Sequence, residues 1–70
     1  MVEKVVELTG TATGSIEDAV ALAISRASVT ISGIREATVT QATALVEDGR
    51  ITGWRVGVRV VFAIEDRLHE

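Results

Sequence analysis

Over residues 54–64 the chain alternates without a break. Trp54, Val56, Val58, Val60, Phe62 and Ile64 stand on one parity, and Arg55, Gly57, Arg59, Val61 and Ala63 on the other. Period two is the signature of a strand whose two faces meet different surroundings. The even face is apolar throughout and needs a cover. The odd face carries two arginines that need a purpose. Any fold for this chain must satisfy both faces at once.

The 70 residues allow one small domain, taken as 1–70, with 66–70 expected to be a flexible tail. A chain this short buries only about 60% of the surface it exposes when unfolded. Such domains are usually reinforced by disulfides, a metal or partner subunits. There is no cysteine, and the single histidine is His69, so neither a disulfide framework nor a clustered-histidine zinc site is available. Oligomerisation remains. The chain is 47% hydrophobic but only 3% aromatic. Its Val, Ala and Ile each bury modest area, leaving apolar surface for neighbours. A net charge of −3 argues against a nucleic-acid partner, which calls for a basic stripe. No apolar run approaches the roughly 20 residues of a membrane span. Met1 is followed by Val-Glu-Lys-Val, without the basic start and apolar segment of a secretion signal, so the cytoplasm is expected.

Residues 2–9 read as a strand, with Val2, Val6 and Leu8 on one face and Glu3, Val5 and Glu7 on the other. Gly10-Thr11-Ala12-Thr13-Gly14 breaks it. Ser15 suits a helix N-cap, with Asp18 in the capping-box place. Glu17 and Asp18 suit the positive end of the helix dipole. The spacing predicts a helix over 16–32, ended by Gly33. Its apolar stripe is Ile16, Val20, Ala23, Ala27 and Ile31, widened by Ile24. Leu22 and Val29 form a second, thinner stripe that suits a neighbouring chain.

Residues 34–47 predict a second strand, Asp48-Gly49 a tight hairpin, and residues 50–65 the third strand. The order strand-helix-strand-strand defines an α+β fold: a three-stranded antiparallel sheet packed on one helix, which lies on the face of Trp54, Val56 and Val58. A loop of Asp48-Gly49 alone sets Val39 opposite Val58 and Thr43 opposite Trp54. Ala37, Val39 and Leu45 then join the buried face. Glu36, Thr38, Thr40 and Ala42 join Arg55 and Arg59. A loop one residue longer flips this assignment.

Few residues nominate chemistry. The glycine-flanked turn at 10–14 lacks the Gly-Lys-Ser/Thr ending of a phosphate loop and reads as a strand-to-helix connection. Glu36 falls diagonal to Arg59, within reach of a cross-strand ion pair. Exposed, such a pair contributes about 0–1 kcal/mol; between subunits, the same group lines a shared polar pocket. Glu65-Asp66 and Glu47-Asp48 read as solvated strand ends, since calcium takes about six to eight oxygen ligands. Trp54 belongs to the apolar series and reads as packing. His69 reads as a solvated tail residue. No nucleophile-histidine constellation can be assembled, and an enzyme is not expected.

Together, Val6-Glu7-Leu8-Thr9-Gly10-Thr11, the alanine-rich helix with Ala23, Arg26 and Ala27, and Val58-Arg59-Val60-Val61-Phe62-Ala63-Ile64-Glu65 resemble the dodecins. The resemblance runs from Val5 to Asp66. It implies a sheet partly wrapped around the helix and a hollow homododecamer built from trimers. It also implies storage or sequestration of flavins such as FMN, riboflavin or FAD at subunit interfaces, without catalysis. Flavin-binding members carry a tryptophan early in the second strand, which stacks on the isoalloxazine ring, and Glu36 stands there. They carry a glutamine in the third strand, and Arg55 stands there. Both positions of the implied flavin site are therefore substituted. Ile34-Arg35-Glu36-Ala37 and Gly49-Arg50-Ile51-Thr52 look more like a branch that lacks the tryptophan and is associated with calcium. The expectation is a ligand-binding cage with a weak flavin site; the alternative is a structural or calcium-binding oligomer without flavin.

Overall fold

The computed structural model describes residues 2–64. Strand β1 (Val2–Ala12) leads to helix α1 (Ile16–Ala27), then to β2 (Ile34–Glu47) and β3 (Arg50–Ile64). The sheet order is β1-β3-β2, antiparallel throughout, so β3 is central. This is the α+β arrangement that the sequence predicts. The expected tail, with Glu65, Asp66 and His69, lies outside the described residues.

The even face of β3 is covered as its alternation requires. Val56, Val58 and Val60 are buried, with Leu8, Ala12, Val20, Ile34 and Trp54 packed around them. Ile64, at the end of the series, is 39% exposed. The helix side of this core differs from the expected stripe. Its buried line is Ala19, Ala23 and Ala27, while Ile16 stays 36% exposed. The reason is the closeness of the sheet. A β-carbon on Gly10 would collide with the Ala19 carbonyl oxygen and stand 3.1 Å from the Ala23 β-carbon. Only small residues fit such an approach, so the alanines face inward and the larger side chains flank them.

Ser15 caps α1 as expected, its Oγ accepting the Asp18 N–H at 3.0 Å. The C-terminus comes earlier than the predicted 32. The last helical residue is Ala27, and Val29 and Thr30 donate to carbonyls three residues back, Arg26 and Ala27, in a tightening turn. Val29, Thr30 and Ile31 are β-branched and weak helix formers. Gly33, with φ of 78°, does not end the helix. It turns the chain into β2, and its carbonyl accepts the Ala63 N–H at 3.3 Å. Leu22 and Val29 are 39% and 79% exposed, outside the core.

The hairpin loop is Asp48-Gly49, both at positive φ (54° and 75°), and Glu47 pairs with Arg50. That is the two-residue turn favoured by strand twist. The register beyond it is less regular than expected. Val46 faces Ile51 but Leu45 faces Gly53, which leaves Thr52 as an extra residue in β3. Its hydroxyl donates to the Leu45 carbonyl at 3.2 Å. Gln41 faces Gly57 and Val39 faces Val58, leaving Thr40 as an extra residue in β2. The two bulges compensate, so Val39 opposite Val58 holds. Between them the expected faces are exchanged. Thr43 lies opposite Arg55, not Trp54; Ala42 lies opposite Val56 on the helix side; Leu45 lies on the arginine side. A third shift leaves Arg35 between the pairs Ile34–Phe62 and Glu36–Val61.

The helix packs on β1 and β3 and barely touches β2. Ala37 and Val39 therefore face the helix side of the sheet without being buried, and Val39 is 44% exposed. The radius of gyration is 15.0 Å and the extents are 60 × 19 × 12 Å. A compact domain of this length has a radius near about 11 Å. The Gly10 approach gives a direct test. Gly10→Ala should destabilise the fold by about 1–3 kcal/mol through overpacking, read as a lowered midpoint in urea unfolding; an unchanged midpoint would mean that helix and strand are not in this contact.

Candidate functional site

Among the described residues, nothing covers the face of the sheet opposite the helix. Cross-strand pairing builds it in rows. Thr11 and Thr43 flank Arg55; Thr9 and Gln41 flank Gly57; Glu7 and Thr38 flank Arg59; Val5 and Glu36 flank Val61. Arg55, Arg59, Glu7 and Glu36 are all exposed.

The Arg59 Nη2 donates to the Glu7 Oε2 at 3.4 Å. Glu36 is level with Val61, diagonal to Arg59 as expected, but β1 brings Glu7 directly opposite Arg59, and the ion pair forms there instead of with Glu36. Edge strand β1 pairs with the other side of β3 from β2, and the alternation of Glu3, Val5 and Glu7 is the sequence signal for that partner. With the side chains 49% and 69% exposed, solvent screens the pair, which contributes at most about 1 kcal/mol.

Glu36 and Arg55 share the open face but do not meet. Glu36 is level with Val61, six residues along β3 from Arg55, a separation of roughly 20 Å at strand rise. One ligand touching both positions needs a second copy of the chain. Trp54 lies on the other face, half-buried between Ala12 and Ala44 and packed on the core, as its place in the apolar series implies. The 10–14 segment carries the end of β1 and a short turn into the Ser15 cap. Among the described residues no group of three or more His, Cys, Asp or Glu could hold a metal ion, and no helix is long and apolar enough to cross a membrane. Two concavities flank the sheet. One, of about 420 Å³, lies between β1 and α1 and is lined by Leu8, Gly10, Leu22 and Arg26 among others. The other, of about 540 Å³, surrounds Gly33 and Ala63.

A three-stranded antiparallel sheet with one helix on one face and, among the described residues, nothing on the other defines a small α+β protein. The dodecin family profile matches residues 2–65, and the chain belongs to the dodecin family. Its structure is similar to that of dodecin from Streptomyces coelicolor, at 34% identity, TM-score 0.86 and 93% coverage of both chains. It is also similar to dodecin from Streptomyces davaonensis, at 26% identity and TM-score 0.86, covering 93% of this chain and 96% of that one. A Thermus thermophilus protein matches at 28% identity and TM-score 0.87, with the same coverage. No curated protein matches the chain in sequence.

The Glu7–Arg59 pair predicts a small coupling. A double-mutant cycle with Glu7→Gln and Arg59→Gln should give less than about 1 kcal/mol in thermal or urea unfolding; a larger value would mean that the open face is desolvated where the two meet.

Proposed function

We propose that this protein is a non-catalytic dodecin that assembles into a hollow homododecamer of trimers and binds flavin weakly, its ligand face having been altered. The observation that carries this reading is the bare sheet face with Glu36 and Arg55 on it. An extended chain with three valines and three alanines as its buried core is poorly stabilised alone, which supports assembly with other copies. Glu36 and Arg55 are the positions at which the family's flavin-stacking tryptophan and hydrogen-bonding glutamine stand. The residues present fit flavin poorly. Loss of ring stacking removes about 0.5–1.5 kcal/mol per pair. A carboxylate held against an apolar ring face must also shed water at a cost. The proposed partners are further copies of the chain and a small molecule, not nucleic acid or membrane, and the cytoplasm is the proposed location.

The alternative is a cation-binding oligomer. Its acidic side chains would have to come from several copies, since among the described residues no single chain groups three of them. Calcium titration followed by melting temperature separates the two readings, because a ligand that binds only the folded state raises the midpoint.

Native mass and flavin titration test the main reading. The expected mass is about 89 kDa, twelve times the 7.4 kDa chain. Added riboflavin or FMN should keep its fluorescence with the natural chain. The double variant Glu36→Trp with Arg55→Gln should quench it, with affinity at least about tenfold higher, or 1.4 kcal/mol. Stoichiometric quenching by the natural chain, or a stable monomer, would defeat the proposal.

A further inference from the structure

We propose that the open face carries an oxyanion site centred on Arg55, which takes the carboxylate or phosphate group of a small molecule. The two arginines of this face differ. Arg59 is neutralised by Glu7. Arg55 makes no ion pair or hydrogen bond among the described residues. Among the described residues, the nearest carboxylates on its face are Glu7 and Glu47, level with Arg59 and Arg50. Each stands four residues along its own strand from the level of Arg55, roughly 13 Å at strand rise. Both distances exceed the Debye length of about 8 Å at physiological salt. In a chain of net charge −3, Arg55 is thus a locally uncompensated cation.

Its neighbours are neutral hydrogen-bonding groups. Thr11 and Thr43 flank it, and Thr9 and Gln41 flank Gly57 two residues along. The bulge re-aims Thr40 toward the same place: a β-carbon on Gly57 would stand 2.9 Å from the Thr40 Oγ1. The missing side chain of Gly57 lets the Thr40 hydroxyl come in over the central strand, two residues from Arg55 on the same face. None of these four threonines, nor Gln41, spends its side chain on an internal hydrogen bond among the described residues. Hydroxyls and amides donate to oxyanions without competing for charge. A guanidinium binds carboxylate or phosphate through two parallel bonds. Solvent weakens such a site on an isolated chain. When copies cover the face, Arg55 loses water and needs a counter-charge. In that respect the inference rests on the assembly proposed above, and it gives the altered ligand face a preferred chemistry.

Calorimetric titration of the native assembly with inorganic phosphate and, separately, succinate, at fixed ionic strength, tests it. Saturable binding of either is expected, and the arm that saturates names the preferred group. Arg55→Gln should weaken that binding at least tenfold while native mass is unchanged. Arg59→Gln should alter it less than about twofold. The site is overturned if neither anion saturates, or if Arg55→Gln binds as well as the natural chain. Failure of the assembly proposal is read separately, in the mass. If the chain is a monomer, the same titrations on the monomer still decide the site by the same criteria.

Discussion

The close approach of α1 to β1 is the constraint on which the rest depends. Gly10 removes a side chain from the strand, and Ala19, Ala23 and Ala27 remove bulk from the helix. The helix then sits low enough for its alanines to meet Val56, Val58 and Val60. That contact is short-ranged and narrow. It seals the even face of the central strand, but it cannot extend over β2, which the helix barely touches. Much of the sheet is consequently left for other molecules to cover, on both of its faces.

The same economy shapes the ligand face. With the helix committed to one side, the described residues supply no second layer for the other. Glu7 and Arg59 compensate each other there, whereas Arg55 stands among threonines with no carboxylate close by among the described residues. Glu36 and Arg55 are separate places on one chain, six residues apart along the central strand. Both lie on the face away from the valine and alanine core, so substitution there leaves that core untouched.

Much of this was legible in the residues. Alternation at 54–64 located the central strand and its buried face, Ser15 the helix start, and Asp48-Gly49 the hairpin. Each signal is local and acts within a few residues. What the residues do not announce is what tertiary geometry decides. Side-chain size points to a stripe of large apolar residues, but the sheet comes so close that alanines win the inner positions. Gly33 looks like a helix stop, although three β-branched residues unwind the helix before it. The bulges at Thr52 and Thr40, which set the face of Ala42, Thr43 and Leu45, leave no clear mark in composition. Glu7 as the partner of Arg59 depends on pairing between β1 and β3, which spans most of the chain. Only the family resemblance singles out Glu36 and Arg55, since an exposed Glu and Arg announce no ligand on their own.

The paired bulges carry a consequence for how such a chain can change length. Thr40 and Thr52 are supernumerary: the residues on either side of each already alternate correctly without it. Losing one of them straightens a strand locally and preserves the polarity of everything beyond. Losing a residue elsewhere in the hairpin reverses inside and outside as far as the next irregularity. The bulges are therefore the joints at which insertions and deletions are absorbed, and drift in length should concentrate there while the stretch between them remains fixed in count.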